Sequence, residues 1–423
     1  MGAPVVVIGA GLAGLTCATR LAEQGLAVLV LATGQGATHL APPLLDVLGY
    51  VPDRVEHPFA AVDELAAAMP AHPYARLGAA TVRTALDWFT TTVGGFVGPG
   101  DRNLLLPTAV GGARPTAAAP ATMAGGDLGR PRRVGLVELS ALRDFHAGLA
   151  ADVLARGGLV QEAAALRVAT PTGGADTSPM RYAQLFTETE FIEAVVAELR
   201  PQLSGLDAVG FPAVLGFDTA ERVWARLQDS LGVEVFEIAL PPPSIPGIRF
   251  YRRLVARLRA AGGRVEIGSP VRGARTDQHK VIGVRVATAG RDREVAGSAY
   301  VLATGGLRAG GLLAGEDGRV REPILDLPVP QPPQPTGDLP VPQPPQPTGD
   351  LATSPVEPRL LAGLAVDDVG RPVDADGRVC FDNLYAVGAT LGVAASWREL
   401  SGHGIALASG YQVAGSILSR SQQ

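Results

Sequence analysis

The sequence predicts an α/β protein, a Rossmann-type domain interrupted by an inserted domain, and three observations predict it. A β-branched run, Val5-Val6-Val7-Ile8, passes without a break into Gly9-Ala10-Gly11-Leu12-Ala13-Gly14. Leu15, Ala18, Leu21 and Ala22 then recur at helical spacing until Gly25, and 27–31 is a second apolar run, which completes a βαβ unit. Late in the chain two more apolar runs, 299–303 and 384–387, end in glycine, at Thr304-Gly305-Gly306 and at Gly388. Continuous rather than alternating apolar runs suit parallel strands covered on both faces, joined by right-handed crossovers.

The elements follow in order. After the βαβ unit, helical spacing recurs near 63–69, 139–155, 188–203 and 220–231, with a Gly/Pro/Ala-rich stretch of loops and short strands at 94–133. A helix at 251–261 stops at Gly262-Gly263, strands follow at 265–267 and 281–286, and a C-terminal helix spans about 404–418. The expected division is a Rossmann-type domain over 1–60 and 245–423, with an inserted α+β cap domain over 61–244. Residues 326–337 read DLPVPQPPQPTG and 338–349 repeat them letter for letter, so 326–351 is expected to be a Pro-rich loop insertion that favours extended polyproline II. Lengthening a surface loop this way costs little, because closure entropy grows only logarithmically with length.

At 423 residues the chain exceeds one ordinary core, and 47% hydrophobic with 18% charged residues is globular composition. A net charge of −5 without a dense basic cluster excludes a nucleic-acid binder. The two cysteines, Cys17 and Cys380, are too few for an iron–sulfur or structural zinc site and argue against a disulfide framework. The six histidines are scattered, so no metal site is expected. No apolar run approaches the roughly 20 residues of a membrane span. The N-terminus enters a strand at once, so neither a signal peptide nor a transmembrane segment is expected, and a reducing, cytoplasmic setting fits best.

The glycine turn carries the chemistry. Gly9 permits the tight turn, Gly11 lets the backbone approach a pyrophosphate, and Gly14 lets helix and strand pack closely. Leu12 and Ala13 then open a helix whose free N–H groups and positive dipole end suit a phosphate. The carboxylate that normally receives adenosine ribose hydroxyls at the end of the second strand is missing: Ala32 and Thr33 stand there, and no acid occurs until Asp46. Losing that charged hydrogen bond removes about 1.5–3 kcal/mol, so a phosphate-bearing cofactor is better supported than a full adenine dinucleotide. Thr33 is left to give the ribose one weaker bond. The late strand into Thr304-Gly305-Gly306, and Gly388 followed by a helix start at Gly402-His403-Gly404, favour flavin over nicotinamide. A helix N-terminus there suits the negative charge of a reduced flavin.

Further residues carry a family resemblance: 33–40 (TGQGATHL) leading to Leu45-Asp46-Val47-Leu48, Leu106-Pro107-Thr108-Ala109 with Arg114-Pro115-Thr116, and above all EIALPPPSIPGIR over 237–249. With Arg321-Glu322-Pro323-Ile324 and 383–388, they make the chain resemble the B subunit of the anaerobic, quinone-linked glycerol-3-phosphate dehydrogenases almost end to end. The resemblance implies an FMN-bearing subunit, FAD being the alternative, of a cytoplasmic complex held peripherally at the plasma membrane. Beside it work a catalytic A subunit and an iron–sulfur, membrane-anchoring C subunit, and electrons from glycerol 3-phosphate pass toward quinone. Ala41-Pro42-Pro43-Leu44, Ser401-Gly402-His403-Gly404 and the Pro-rich repeat depart from the family pattern.

His403 at the C-terminal helix start and His39 after the second strand are the candidate proton carriers, their ordinary pKa near 6.5 suiting that work. Arg114 and Arg249, beside prolines, are the candidate ligands of a substrate phosphate. Gly9, Gly11, Leu12, Ala13, Gly14, Thr33, Thr304, Gly305 and Gly388 are the candidate cofactor residues. Two other functions stay open: a stand-alone flavin oxidoreductase acting on a small molecule, and a non-catalytic assembly subunit with a degenerate nucleotide fold.

Overall fold

A computed structural model describes residues 2–130, 132–170, 176–330 and 358–421. Its central sheet is parallel throughout, in the order Arg264–Ile267, Val28–Ala32, Val5–Ile8, Ala299–Leu302, Leu384–Ala386. The run Val5–Ile8 is central because every residue in it is buried, and alternate side chains serve two cores. Val5 and Val7 face the helical layer, whereas Val6 and Ile8 face a three-stranded antiparallel sheet of Val271–Asp277, Lys280–Val286 and Arg293–Val295.

The helical layer forms where small residues permit close approach. Helix Leu12–Glu23 lies against the C-terminal helix Gly402–Ser421, and a Cβ on Gly410 would sit 2.6 Å from the Ala13 carbonyl oxygen. Leu15, Cys17, Ala18 and Leu21 are buried in the same layer, each large apolar side chain contributing about 1.5–3 kcal/mol by its removal from water. Burial also pushes the Cys17 thiol up to about 12, so it is an inert packing residue.

Helices Pro58–Ala68 and Pro73–Val93 belong to this layer too: Phe59, Val62, Tyr74, Leu86 and Phe89 bury in the same core as Leu15 and Ile405. The core separate from it draws on 128–245 and surrounds a second parallel sheet, in the order Glu162–Val168, Arg133–Leu139, Ala208–Pro212, Glu234–Ile238. The expected helix at 139–155 is shorter, Ala147–Arg156, and is preceded by a strand, Arg133–Leu139, because Leu136 to Leu154 supply apolar residues that suit either period.

Most of the Pro-rich repeat, 331–349, lies outside the described residues. Among the described residues, no helix is long and apolar enough to cross a membrane, and no cluster of His, Cys, Asp and Glu is placed to hold a metal ion.

Candidate functional site

The three glycines of the turn do different work. Gly9 has φ +120°, and a Cβ there would lie 2.1 Å from the Ala303 carbonyl oxygen. A Cβ on Gly14 would lie 2.2 Å from the Gly9 carbonyl oxygen, so both positions are closed by backbone. Gly11 has an ordinary φ of −80° and nothing within 4 Å of a Cβ, so its face is open. Helix Leu12–Glu23 begins there with no side-chain cap and no acid in its first turn, leaving its first N–H groups and positive dipole end to an incoming anion. Gly36, at φ +68°, brings the 33–37 segment over this turn, since its Cβ would be 3.3 Å from the Gly11 Cα.

The later glycine segments converge on the same place. Gly388, at φ +69°, abuts Ala13, where a Cβ would be 2.7 Å from the Ala13 Cβ, and its N–H donates to Ser409 Oγ at 2.9 Å. Gly305 N–H donates to Thr390 Oγ1 at 3.2 Å. The Thr304 hydroxyl beside it is buried and lacks a partner among the described residues, a polar group left over for a ligand. Between these segments lies a cavity of about 430 Å³, walled by Gly36, Ala37, Gly306, Arg308, Gly388, Trp397 and Gly402 among others. Among the described residues its wall holds one charged side chain, Arg308, whose guanidinium stacks 4.0 Å from the centre of the Trp397 ring. These features fit a flavin, with its phosphate at the open Gly11 turn and its apolar body in an otherwise uncharged cleft.

Trp397 is carried on a strained segment. Val393 at φ +75° and Leu400 at φ +50° bracket it, a backbone conformation that costs of order 1–3 kcal/mol at each non-glycine residue. Glu399 pins this segment. Its carboxylate accepts from Ser401 Oγ at 2.7 Å and Ala395 N–H at 2.9 Å, and lies 3.2 Å from Nε2 of the fully buried His72. His72 Nδ1 accepts from Tyr74 N–H at 3.1 Å, which leaves Nε2 as the nitrogen that donates to Glu399. Burial pushes the Glu399 carboxyl up, but the bonds from His72 and Ser401 outweigh it and hold it below the ordinary value. A carboxyl lowered by folding stabilises the fold above its unfolded pKa, and that stability is lost as pH falls through the folded value. The expected result is that Glu399→Gln flattens the acid limb of stability against pH below about pH 4.5, as read by thermal melts across pH.

His403 and Arg114 meet at one carboxylate. Asp46, 3% exposed, pairs through Oδ2 with the Arg114 guanidinium, and the same oxygen lies 3.7 Å from His403 Nδ1. The sequence picked out both side chains but not the carboxylate between them, although Asp46 is the first acid after the second strand. Arg249 lies elsewhere: its guanidinium makes two contacts, at 2.7 and 3.0 Å, with the fully buried Glu237 carboxylate. Thr122 Oγ1 and Leu215 N–H donate to the same carboxylate. His39 bonds through Nδ1 to the Gly36 carbonyl oxygen at 2.8 Å and meets Tyr251 edge-on, while Thr33 is exposed beside Ala32.

A family model described as an FAD binding domain matches residues 4–405. The expectation of FMN rather than FAD draws no support from that match. The chain is 36% identical to a probable anaerobic glycerol-3-phosphate dehydrogenase B subunit of Halobacterium salinarum, over 96% of each chain. It is 32% identical to the anaerobic glycerol-3-phosphate dehydrogenase B subunit of Pectobacterium atrosepticum, over 98% of each. Among solved structures it is similar to a 3-ketosteroid-delta4-(5alpha)-dehydrogenase of Rhodococcus jostii, at 13% identity and a TM-score of 0.39, over 98% of this chain and 96% of the other. With its glycine turn, open Gly11 face and largely apolar cleft, the chain belongs to the FAD-binding-domain flavoproteins and, among them, to the B-subunit family of the anaerobic glycerol-3-phosphate dehydrogenases.

Proposed function

We propose that this chain is the flavin-bearing electron-relay subunit of a glycerol-3-phosphate dehydrogenase complex. It passes electrons from the oxidation of glycerol 3-phosphate to dihydroxyacetone phosphate onward toward quinone. A catalytic subunit works beside it together with an iron–sulfur subunit, which holds the complex at the cytoplasmic face of the plasma membrane. The observation that supports relay over independent catalysis is the cavity wall, which among the described residues contains Arg308 but no carboxylate or imidazole to act as a base. When bound, a flavin takes up two electrons together and releases them singly, which coupling an alcohol oxidation to one-electron iron–sulfur carriers requires. Gly11 and the N–H groups of Leu12 and Ala13 hold its phosphate, and Thr304, Gly305 and Gly388 border it. With Ala32 in place of the ribose acid, the site grips ring and phosphate, so FMN and FAD bind with affinities within about tenfold of each other.

His39 and His403 are the imidazoles on segments that border the cavity, between Ala37 and Leu40 and between Gly402 and Ile405. They carry protons to and from it, His403 being the more important. Arg114, with a third of its side chain exposed, takes the phosphate of a sugar-phosphate ligand, whereas Arg249 has its charge matched by Glu237. Arg308 supplies the positive charge facing the cofactor. The expected result is that Arg308→Met binds flavin about tenfold more weakly, the loss of one charge-assisted contact, in a fluorescence-quenching titration.

The division of labour is tested by assaying glycerol 3-phosphate oxidation by the purified chain alone and by the co-expressed complex. Turnover confined to the complex supports the relay. Full-rate oxidation by the chain alone overturns it in favour of a stand-alone flavin oxidoreductase, a reading that the pairing of His403 and Arg114 through Asp46 would then explain.

A further inference from the structure

Asp46 is held from every side. Its backbone carbonyl accepts from Gly404 N–H at 2.8 Å at the start of the C-terminal helix, and its neighbour Leu45 exchanges backbone bonds with Ala117 and Ala118 just after the strand that carries Arg114. The residue therefore joins the cofactor-side helix to the hairpin of strands Leu104–Pro107 and Ala113–Thr116, and its side chain is buried between the two. The charged and titratable groups facing it from the surrounding elements are Arg114 on the hairpin, His403 on the C-terminal helix, and Tyr74 on helix Pro73–Val93, with Glu399 beyond the tyrosine. Oδ2 serves both Arg114 and His403, while Oδ1 is buried and has no hydrogen-bond donor among the described residues. The Arg114 Nε is likewise buried and unmatched. His403 Nδ1 lies 3.7 Å from Oδ2, beyond hydrogen-bond distance, but a nitrogen facing a buried carboxylate is better matched by an N–H than by a lone pair.

We propose that Asp46 is a positioning residue: its buried carboxylate holds His403 with the proton on Nδ1, so that Nε2 is the free acceptor, and it ties that imidazole to Arg114. One carboxylate then sets both the proton-accepting and the anion-binding side chain. The role rests on the reading of His403 as a proton carrier; the tautomer does not.

Nitrogen-15 NMR of histidine-labelled flavoprotein reads the tautomer directly, with the His403 signal identified by its loss in His403→Gln. The expected result is Nδ1–H in the native protein and in Arg114→Lys. In Asp46→Leu/Arg114→Met that preference is lost; replacing the buried carboxylate together with its partly exposed arginine partner leaves neither charge unmatched, so this double variant keeps the test usable if Asp46→Leu alone does not fold. Nε2–H in the native protein, or Nδ1–H retained in the double variant, overturns the proposal. In the co-expressed complex, Asp46→Asn is expected to lower kcat about 100-fold, the scale of a mispositioned proton carrier. A switched tautomer with unchanged turnover would overturn the proton-carrier role of His403 while upholding the positioning by Asp46.

Discussion

A Gly11→Val variant is expected to fold with a melting temperature close to that of the native protein and to be purified without flavin, whereas Gly9→Val is expected not to accumulate as folded protein. The two residues share a turn and differ in what surrounds them. At Gly9 the backbone has φ +120°, and a Cβ would stand 2.1 Å from the carbonyl oxygen of Ala303, which follows strand Ala299–Leu302 directly and is held by its N–H bond to Ile8. At Gly11 the backbone conformation is ordinary and a side chain points into open space, the space that a pyrophosphate approaching the helix N-terminus needs. Loss of the phosphate contacts removes several charge-assisted hydrogen bonds at once, so flavin affinity falls by at least about 100-fold. Circular dichroism melts and the flavin absorbance of the two purified variants check both halves. Retained flavin in Gly11→Val would place the cofactor elsewhere.

Glu237→Ala is expected to destabilise the fold by about 3–5 kcal/mol, the usual cost of removing one partner of a buried ion pair. The carboxylate is fully buried, and its loss strands the Arg249 guanidinium, the Thr122 hydroxyl and the Leu215 N–H together. Glu237→Met/Arg249→Met removes both charges and should recover more than half of the loss, because the desolvation penalty of the pair goes with it. Chemical denaturation measures both. An unchanged KM for glycerol 3-phosphate in the double variant, assayed in the complex, would confirm that Arg249 acts through the fold. A KM raised tenfold or more would return it to the ligand's phosphate.

The legible parts of the molecule are those that the backbone alone dictates. Val5–Ile8, the Gly9–Gly14 turn and the late runs ending at Gly305 and Gly388 are unbroken apolar segments closed by glycines, and they became neighbours in one parallel sheet. The strands of the second sheet were harder to read. Ala208–Pro212 reads AVGFP and contains both a glycine and a proline, and Arg133–Leu139 runs toward a helix with no breaker strong enough to separate the two periods. Helix Pro73–Val93 escaped notice because Gly78, at φ +69°, interrupts its pattern.

Single residues of the site divide in the same way. His403 and Arg114 were visible as isolated side chains, but their meeting at Asp46 joins residues 46, 114 and 403, a juxtaposition that only the tertiary fold creates. Arg249 looked like a phosphate ligand because it follows a Pro-rich run that suggests a loop, whereas it lies in helix Ile245–Ala260 and Glu237, twelve positions before it on strand Glu234–Ile238, matches its charge. Arg308 and Trp397 carry no local pattern, and their stacking depends on two short turns meeting across the cavity.

The most direct test of the central claim is the absorbance spectrum of the purified chain, prepared alone and with its partner subunits, together with the mass of whatever it releases on denaturation. A flavin spectrum and about one flavin per chain in the co-expressed complex, lost in Gly11→Val, is the predicted result. Colourless protein in every preparation would contradict it and leave the chain a structural subunit with an empty nucleotide fold.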